Sequence, residues 1–330
     1  MATTSHKLHS MWDDFPTMQA DLAAVSEVIE ENLEVNNPDV QAALIKMMTG
    51  GGKYLRPALT ILAGQFAPNN HKNLIALAAS VEILHSASLI HDDIIDDSPL
   101  RRHQPSMQAQ FGKDIAVYAG DVLFAKTFNL LAWHIEDLKT SRMATGYLTE
   151  LLEGELEQRS NYYHLDMKID DYLSQIAGKT ASLFELAVRL GVSAAPETPE
   201  IVASTLTSFA YNLGMAFQIA DDILDYENDS DTLGKPTLND LREGIYSAPL
   251  LLALEKNPSL GDTLSKRFDM SDEEAQSIAN YVASSGALDE AKELALDYAD
   301  KADDLLNELP ESNAKEILLD LQTKLISRQD

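Results

Sequence analysis

Two short segments concentrate carboxylates at a spacing that suits cations. One is His91-Asp92-Asp93-Ile94-Ile95-Asp96-Asp97 and the other is Asp221-Asp222-Ile223-Leu224-Asp225; both contain D-D-x-x-D. On a helix, residues i and i+4 share a face, so Asp92 neighbours Asp96 and Asp221 neighbours Asp225. Such pairs work against a helix. Like charges at that spacing repel by about 0.2–0.5 kcal/mol, carboxylates meet the wrong end of the helix dipole, and Asp is a poor helix former. Local conflict of this kind is tolerated where function requires it. Oxygen donors without Cys or His favour Mg²⁺ over zinc. Mg²⁺ takes one or two carboxylates and completes its shell with water and phosphate oxygens. Two facing clusters would therefore hold several ions around one phosphorylated ligand. A single cluster would read as an exposed acidic helix end; two matched copies, each closing an apolar helical pattern, favour the cation reading.

The chain has only 25 Lys and Arg against 53 Asp and Glu, so the placement of the basic residues is informative. Gly50-Gly51-Gly52-Lys53-Tyr54-Leu55-Arg56-Pro57 puts Lys53 and Arg56 three apart at an expected helix start. Backbone amides there, with a lysine and a guanidinium fork, suit a diphosphate. Arg101-Arg102 follow the first acidic segment, Lys179-Thr180 lie in Gly-Lys-Thr-Ala-Ser-Leu-Phe, and Lys235 lies in Leu-Gly-Lys-Pro after the second. Gly178-Lys179-Thr180 is not a P-loop: position 173 is Leu where the upstream glycine belongs, and no strand precedes it. Each basic residue alone reads as a surface charge; their joint arrangement around two acidic clusters carries the inference.

The elements that must position these groups read as helices. From His71 to Asp97, Leu74, Leu77, Ala78, Val81, Leu84, Ser88 and Leu89 follow helical spacing, and Pro99 supplies a stop. Similar patterns cover 17–35, 38–48, 54–67, 105–111, 119–136, 141–158, 169–190, 199–227, 246–255, 272–283, 286–307 and 312–326. No strand alternation or βαβ rhythm appears. The expectation is an all-α, single-domain helical bundle over 1–330. The acidic stretch 262–330 reads as a solvated surface and is assigned no chemistry.

Composition narrows the function classes. The net charge of −28 argues against nucleic acid and against an anionic membrane surface. The absence of cysteine excludes disulfides, iron–sulfur clusters, Cys-ligated zinc and a Cys nucleophile. The opening MATTSHKLHSMWDDFP has no apolar core of a secretory signal. No uninterrupted apolar run reaches about 18 residues, so no membrane-spanning segment is expected. These features fit a cytoplasmic protein.

Taken together, GGKYLRP, HDDIIDDSPLRR, AGDVLFAKTF, GKTASLF and FQIADDILDY…LGKP, in this order, resemble the trans-isoprenyl diphosphate synthases over roughly residues 45–255. SASLIHDDIIDD is most similar to the catalytic large subunit of heptaprenyl diphosphate synthase and to other long-chain members. The resemblance implies an isoprenoid-synthase bundle with a deep central cavity, usually a homodimer. It implies Mg²⁺-dependent head-to-tail condensation of isopentenyl diphosphate with an allylic diphosphate. Position by position, it implies three Mg²⁺ ions held by Asp92, Asp93, Asp96, Asp221, Asp222 and Asp225. It puts Arg101, Lys179 and Lys235 on the allylic diphosphate, and Lys53, Arg56, His85 and Arg102 on isopentenyl diphosphate. Thr180 and Gln218 would stabilise the carbocation or position substrate. Taken alone, His85 reads as a satisfied core histidine; its place about two turns before Asp92, with the resemblance, makes it a ligand.

Product length is expected to depend on Ser88 and Ala87, four and five residues before Asp92. Both are small; an aromatic there would fill the channel of the growing chain, and small residues leave it open. Close helix packing is the competing explanation of their size. A product of the heptaprenyl class is expected, with a geranylgeranyl or farnesyl product as the alternative within the family. The chain departs from the family pattern at Tyr54 (commonly Arg), His103 (Gly), Leu238 (Gly) and Ile245 (Lys), the last removing a positive charge from the allylic diphosphate site. A terpene cyclase would lack the Gly-Gly-Lys segment and the second D-D-x-x-D. A non-catalytic subunit would have eroded acidic motifs. A catalytic subunit that needs a small partner remains open. An unrelated acidic helical scaffold would bind no Mg²⁺–diphosphate.

Overall fold

The computed structural model describes residues 8–50, 52–102, 104–227 and 238–327. Lys235 and His103 lie outside these described residues. The helices are α1 (Pro16–Asn32), α2 (Pro38–Thr49), α3 (Leu55–Gly64), α4 (His71–Ile95), α5 (Met107–Phe111), α6 (Lys113–His134), α7 (Leu138–Ser160), α8 (Ile169–Ile176), α9 (Ser182–Ser193) and α10 (Glu200–Glu227). They continue as α11 (Asn239–Glu243), α12 (Ala248–Lys256), α13 (Leu260–Leu264), α14 (Asp272–Ser284), α15 (Ala287–Glu308) and α16 (Asn313–Ser327). Among the described residues the sole strand pairing is a two-residue antiparallel ladder, β1 (Leu100–Arg101) with β2 (Gln104–Pro105).

Local chemistry sets the ends of the helices that matter. The Asn70 side chain accepts from the Asn73 N–H at 3.2 Å and starts α4. The helix stops where the acidic residues crowd: Asp96 caps it through an N–H to Asp92 carbonyl bond of 2.9 Å, and Asp97 turns left-handed at φ 53. Asp137 caps α7 in the same way as Asn70 caps α4.

Two clusters of buried side chains hold the bundle. The first gathers α1 to α4, α6, α7, α9 and the N-terminal half of α10; the second gathers the C-terminal half of α10 with α8, α12, α14 and α15. α10 runs through both, α4 lies along α6, and α3 lies along α9. The helix ends bearing Asp92 and Asp221 thus belong to the central helices of the bundle.

One expectation changes. The pattern over 169–190 is not one helix: a π-turn at Ala177–Ala181 separates α8 from α9 and carries Lys179 and Thr180. Such turns recur at functional sites because the extra residue re-aims side chains. Here α7 presses on the turn: a Cβ on Gly154 would lie 3.0 Å from the Lys179 nitrogen. By length and composition alone, α4 and α6 are also apolar enough as whole helices to cross a membrane, although no uninterrupted apolar run is. α4 buries 78% of its most apolar window inside the bundle, but α6 only 39%. Tyr118, Phe128 and Trp133 on α6 remain exposed.

Candidate active site

Three adjoining hollows meet at the ends of α4 and α10. The largest, about 680 Å³, runs from Gly52, Lys53 and Arg56 past Glu82, His85 and Ser88 to Asp92, Lys179 and Asp221. A second, about 300 Å³, is lined by Asp92, Asp96, Asp221, Asp222, Asp240 and Glu243. A third, about 590 Å³, is more apolar, with Ser88, Ile95, Phe124, Leu151, Leu152 and Leu156. Asp92 and Lys179 line all three.

The cationic end is built on the start of α3. Tyr54 adopts φ 52, which turns the chain into the helix, and Arg56 follows. Arg56 is half-buried, with its guanidinium 5.0 Å from the Phe184 ring centroid. Burial pushes Arg56 down to about 10, with Glu82 opposing the shift and Arg102 adding to it. The Arg102 guanidinium packs against the bare backbone of Gly52, where a Cβ would lie 2.8 Å from its Nη1 and displace it. Arg102 reaches this point from the β-hairpin, where its own φ is 49. His85, half-buried at the wall of the large hollow, is pushed well below the usual imidazole range, first by desolvation and then by the Arg56, Arg102 and Arg101 cations. It is therefore a neutral hydrogen-bonding group at neutral pH. Tyr54, at a departure from the family pattern, faces the core: its hydroxyl donates to the Met48 carbonyl at 3.1 Å.

Lys179 sits at the junction. Its Nζ lies 2.8 Å from Gln158 Oε1, 3.0 Å from Glu155 Oε2 and 3.8 Å from Asp92 Oδ2. Burial, which lowers an ammonium, is outweighed by Asp92 and Glu155, so its pKa rises and the charge is kept. Thr180, next along the π-turn, donates to Gln218 Oε1 at 2.8 Å, and Gln218 Nε2 donates to Asp222 Oδ1 at 2.8 Å.

The two acidic segments share an internal division. Asp92 and Asp96 face the hollows, whereas Asp93 is 1% exposed and accepts from Arg101 Nε at 3.0 Å. Asp93 and Arg101, expected on cation and diphosphate respectively, are thus paired with each other. In the second segment Asp221 faces the hollows, and both oxygens of Asp222 accept hydrogen bonds, from Tyr172 and Gln218. The buried Oδ2 of Asp225 has no hydrogen-bond partner. Burial raises Asp96, Asp222 and Asp225, and neighbouring carboxylates raise them further. Asp222 reaches about 7 and Asp240, against Asp222 and Asp225, about 8.

This donor set fits Mg²⁺. It is all oxygen, it holds an orphaned buried carboxylate oxygen, and it crowds like charges that a cation would relieve. Among the described residues no three acidic or imidazole groups converge as a ready metal site. That agrees with an ion that draws most of its shell from water and diphosphate.

A pH dependence follows. Asp222 and Asp240 hold protons in the fold that the unfolded chain releases near pH 4, so the native state binds more protons between about pH 4 and pH 8. In chelator, the melting temperature should fall as pH rises through that window. Asp240→Asn should flatten the slope, as should Mg²⁺ with inorganic diphosphate. A melting temperature that holds steady or rises would contradict this.

Several contributors escape a reading of spacing alone. Glu155 takes an apolar-face position, four after Leu151 and seven after Leu148, which is a legible signal. Glu82 sits likewise on the buried face of α4, 4% exposed. Tyr172 and Asp240 carry no local signal. Of the pair expected to govern product length, Ser88 lines two hollows and Ala87 is fully buried in helix packing. Ile245 lines the acidic hollow, and Leu238 adopts φ 64, the conformation that favours glycine there.

Comparison with known proteins agrees with this geometry. Residues 37–284 match the family described as polyprenyl synthetase. The chain is 33% identical to heptaprenyl diphosphate synthase component 2 of Geobacillus stearothermophilus, over 91% of this chain and 93% of that one. It superposes on geranylgeranyl pyrophosphate synthase of Lactobacillus brevis ATCC 367 with a TM-score of 0.92 and 36% identity, covering 97% and 99% of the two chains. A polyprenyl synthase of Caulobacter crescentus CB15, solved with calcium and isoprenyl diphosphate, gives 0.89 at 33% identity over 98% and 99%. The matched span takes in both acidic segments, the arginines beside them and the π-turn lysine, and the chain belongs to the polyprenyl synthetase family of prenyltransferases.

Proposed function

We propose that this chain condenses isopentenyl diphosphate with an allylic diphosphate, head to tail, and makes a trans-polyprenyl diphosphate of the heptaprenyl class. The observation that carries the reading is the meeting of an arginine-lined and an acid-lined hollow at Asp92 and Lys179, with an apolar hollow opening beside them past Ser88. The arginine-lined end holds isopentenyl diphosphate through Lys53, Arg56, Arg102 and neutral His85. The acidic end holds the allylic diphosphate with Mg²⁺, Asp92, Asp96 and Asp221 supplying the carboxylates that line the hollows and Asp225 standing behind them with its buried, unpartnered oxygen.

Bound Mg²⁺ would share the negative charge that grows on the departing diphosphate. Lys179 adds a fixed cation at the same place. The carbon–oxygen bond breaks, leaving an allylic cation that Thr180 and Gln218 face and that Phe217, Leu183 and Leu151 shield from water. The isopentenyl double bond supplies the electron pair for the new carbon–carbon bond. A proton then leaves the resulting cation for the released diphosphate, restoring a double bond, so the enzyme needs no nucleophile of its own.

The exposed apolar residues of α6, Tyr118, Phe128 and Trp133, support assembly as a homodimer through that helix. The relative named as one component of heptaprenyl diphosphate synthase supports a second assembly, with a small partner subunit on this catalytic chain. Both assemblies fit one helical domain acting in the cytoplasm.

The test is a product assay. The purified chain is incubated with Mg²⁺, labelled isopentenyl diphosphate and farnesyl diphosphate, and the dephosphorylated products are sized. A ladder reaching well beyond geranylgeranyl supports the reading. A single geranylgeranyl product would overturn the chain length and keep the reaction. No product from the chain alone would reject the homodimer as the active form and favour the partnered assembly.

A further inference from the structure

Tyr172 of α8 is 2% exposed and lies outside every motif described above. Its hydroxyl donates to Asp222 Oδ2 at 2.6 Å. Gln218 Nε2 donates to the other oxygen, Oδ1. A carboxylate on its own rotates through a broad, two-fold well. Two donors on opposite oxygens, one from α8 and one from the preceding turn of α10, remove that freedom and leave further lone pairs unused. Gln218 is itself oriented, because its Oε1 accepts from Thr180. The bonds therefore run without a break from Tyr172 through Asp222 and Gln218 to Thr180, the neighbour of Lys179. A buried network with its members satisfied is rigid, and loss of one donor loosens all of it.

The first acidic segment has a counterpart. Asp93, its second carboxylate, is held by Arg101 from the β-hairpin. In both segments, then, the second Asp is gripped by a donor from a separate element, while the first faces the hollows.

We propose that Tyr172 is a positioning residue of the second acidic segment: with Gln218 it sets the carboxylate of Asp222, and so aligns the cation-binding end of α10 with Lys179. The proposal rests on the reading of that end as the Mg²⁺–diphosphate site.

The experiment uses the full chain and the Tyr172→Phe variant, which removes one oxygen and keeps the ring. Mn²⁺ binding is measured by electron paramagnetic resonance of the free ion, with inorganic diphosphate present and below the melting temperature of either protein. The variant should bind Mn²⁺ about 10-fold more weakly. Its kcat should fall by a similar factor, while the KM for isopentenyl diphosphate holds, because the arginine-lined end does not touch Tyr172. On an Asp222→Asn background the same change should have little further effect on Mn²⁺ binding, since the residue acts through that carboxylate. Unchanged Mn²⁺ affinity in folded Tyr172→Phe would overturn the proposal alone, as would an undiminished loss on the Asp222→Asn background. Failure of the unmodified chain to bind Mn²⁺ with diphosphate would overturn the cation-site reading and the proposal with it.

Discussion

Asp221→Asn should lower kcat by about 100- to 1,000-fold, the usual cost of losing one stabiliser of developing charge, and should leave the KM for isopentenyl diphosphate nearly unchanged. Asp221 lines both the arginine-lined and the acid-lined hollow, and its carboxylate has its i+4 neighbour in Asp225. Amide in place of carboxylate keeps the shape and removes the charge. A loss confined to kcat marks an interaction made in the transition state rather than in substrate binding. Steady-state kinetics at saturating Mg²⁺ reads this directly, and a variant within a few-fold of the parent kcat would remove Asp221 from the cation site. Asp93→Asn is the informative contrast. That carboxylate is gripped by Arg101, so its loss should appear as roughly 1.5–3 kcal/mol of stability, the worth of a hydrogen bond to a charged group. Thermal melting separates the two outcomes.

Ser88→Phe should truncate the product to farnesyl or geranylgeranyl diphosphate while the condensation itself continues. Ser88 lines the large hollow and the apolar hollow, and its hydroxyl is turned back onto the His85 carbonyl at 2.8 Å. The opening beside it is therefore bounded by a small methylene. A phenyl ring there would fill the route from the junction at Asp92 into the space between α4, α6 and α7. Ala87→Phe should behave differently. Ala87 is fully buried in helix packing, and a ring there overpacks the core at about 1–3 kcal/mol. Product chromatography and melting curves of the two variants decide the matter. A Ser88→Phe enzyme whose longest product is unchanged would mean that the chain grows by another route.

The helical character and most helix positions were legible because an apolar stripe at helical spacing needs no tertiary information. The expected pattern over 71–97 became α4, ending at Ile95, and the expected 38–48 became α2, Pro38–Thr49. The break at Ala177–Ala181 was not legible. Gln-Ile-Ala-Gly-Lys-Thr-Ala-Ser-Leu-Phe continues the apolar period, and the backbone leaves it where the turn packs against Gly154 of α7, a contact between segments far apart in sequence. The short helices α11 and α13 were missed for want of enough turns to show a period.

For the site, residue type and spacing alone singled out two carboxylate clusters suited to a phosphorylated ligand, and the scarce cations near them. Charge count and i, i+4 geometry are local properties. The resemblance built on those motifs pointed to the family that comparison then bore out. Tertiary structure alone decided how the carboxylates divide their work. Asp93 and Asp222 look identical to their neighbours along the chain, and they differ only because Arg101 and Tyr172 reach them from the hairpin and from α8. It likewise decided that Ser88 borders the hollows and Ala87 does not, a matter of about 100° of rotation around α4 between consecutive residues. Which groups converge, and which face of a helix finds a cavity, depends on distances between segments far apart in sequence, and no local pattern carries that information.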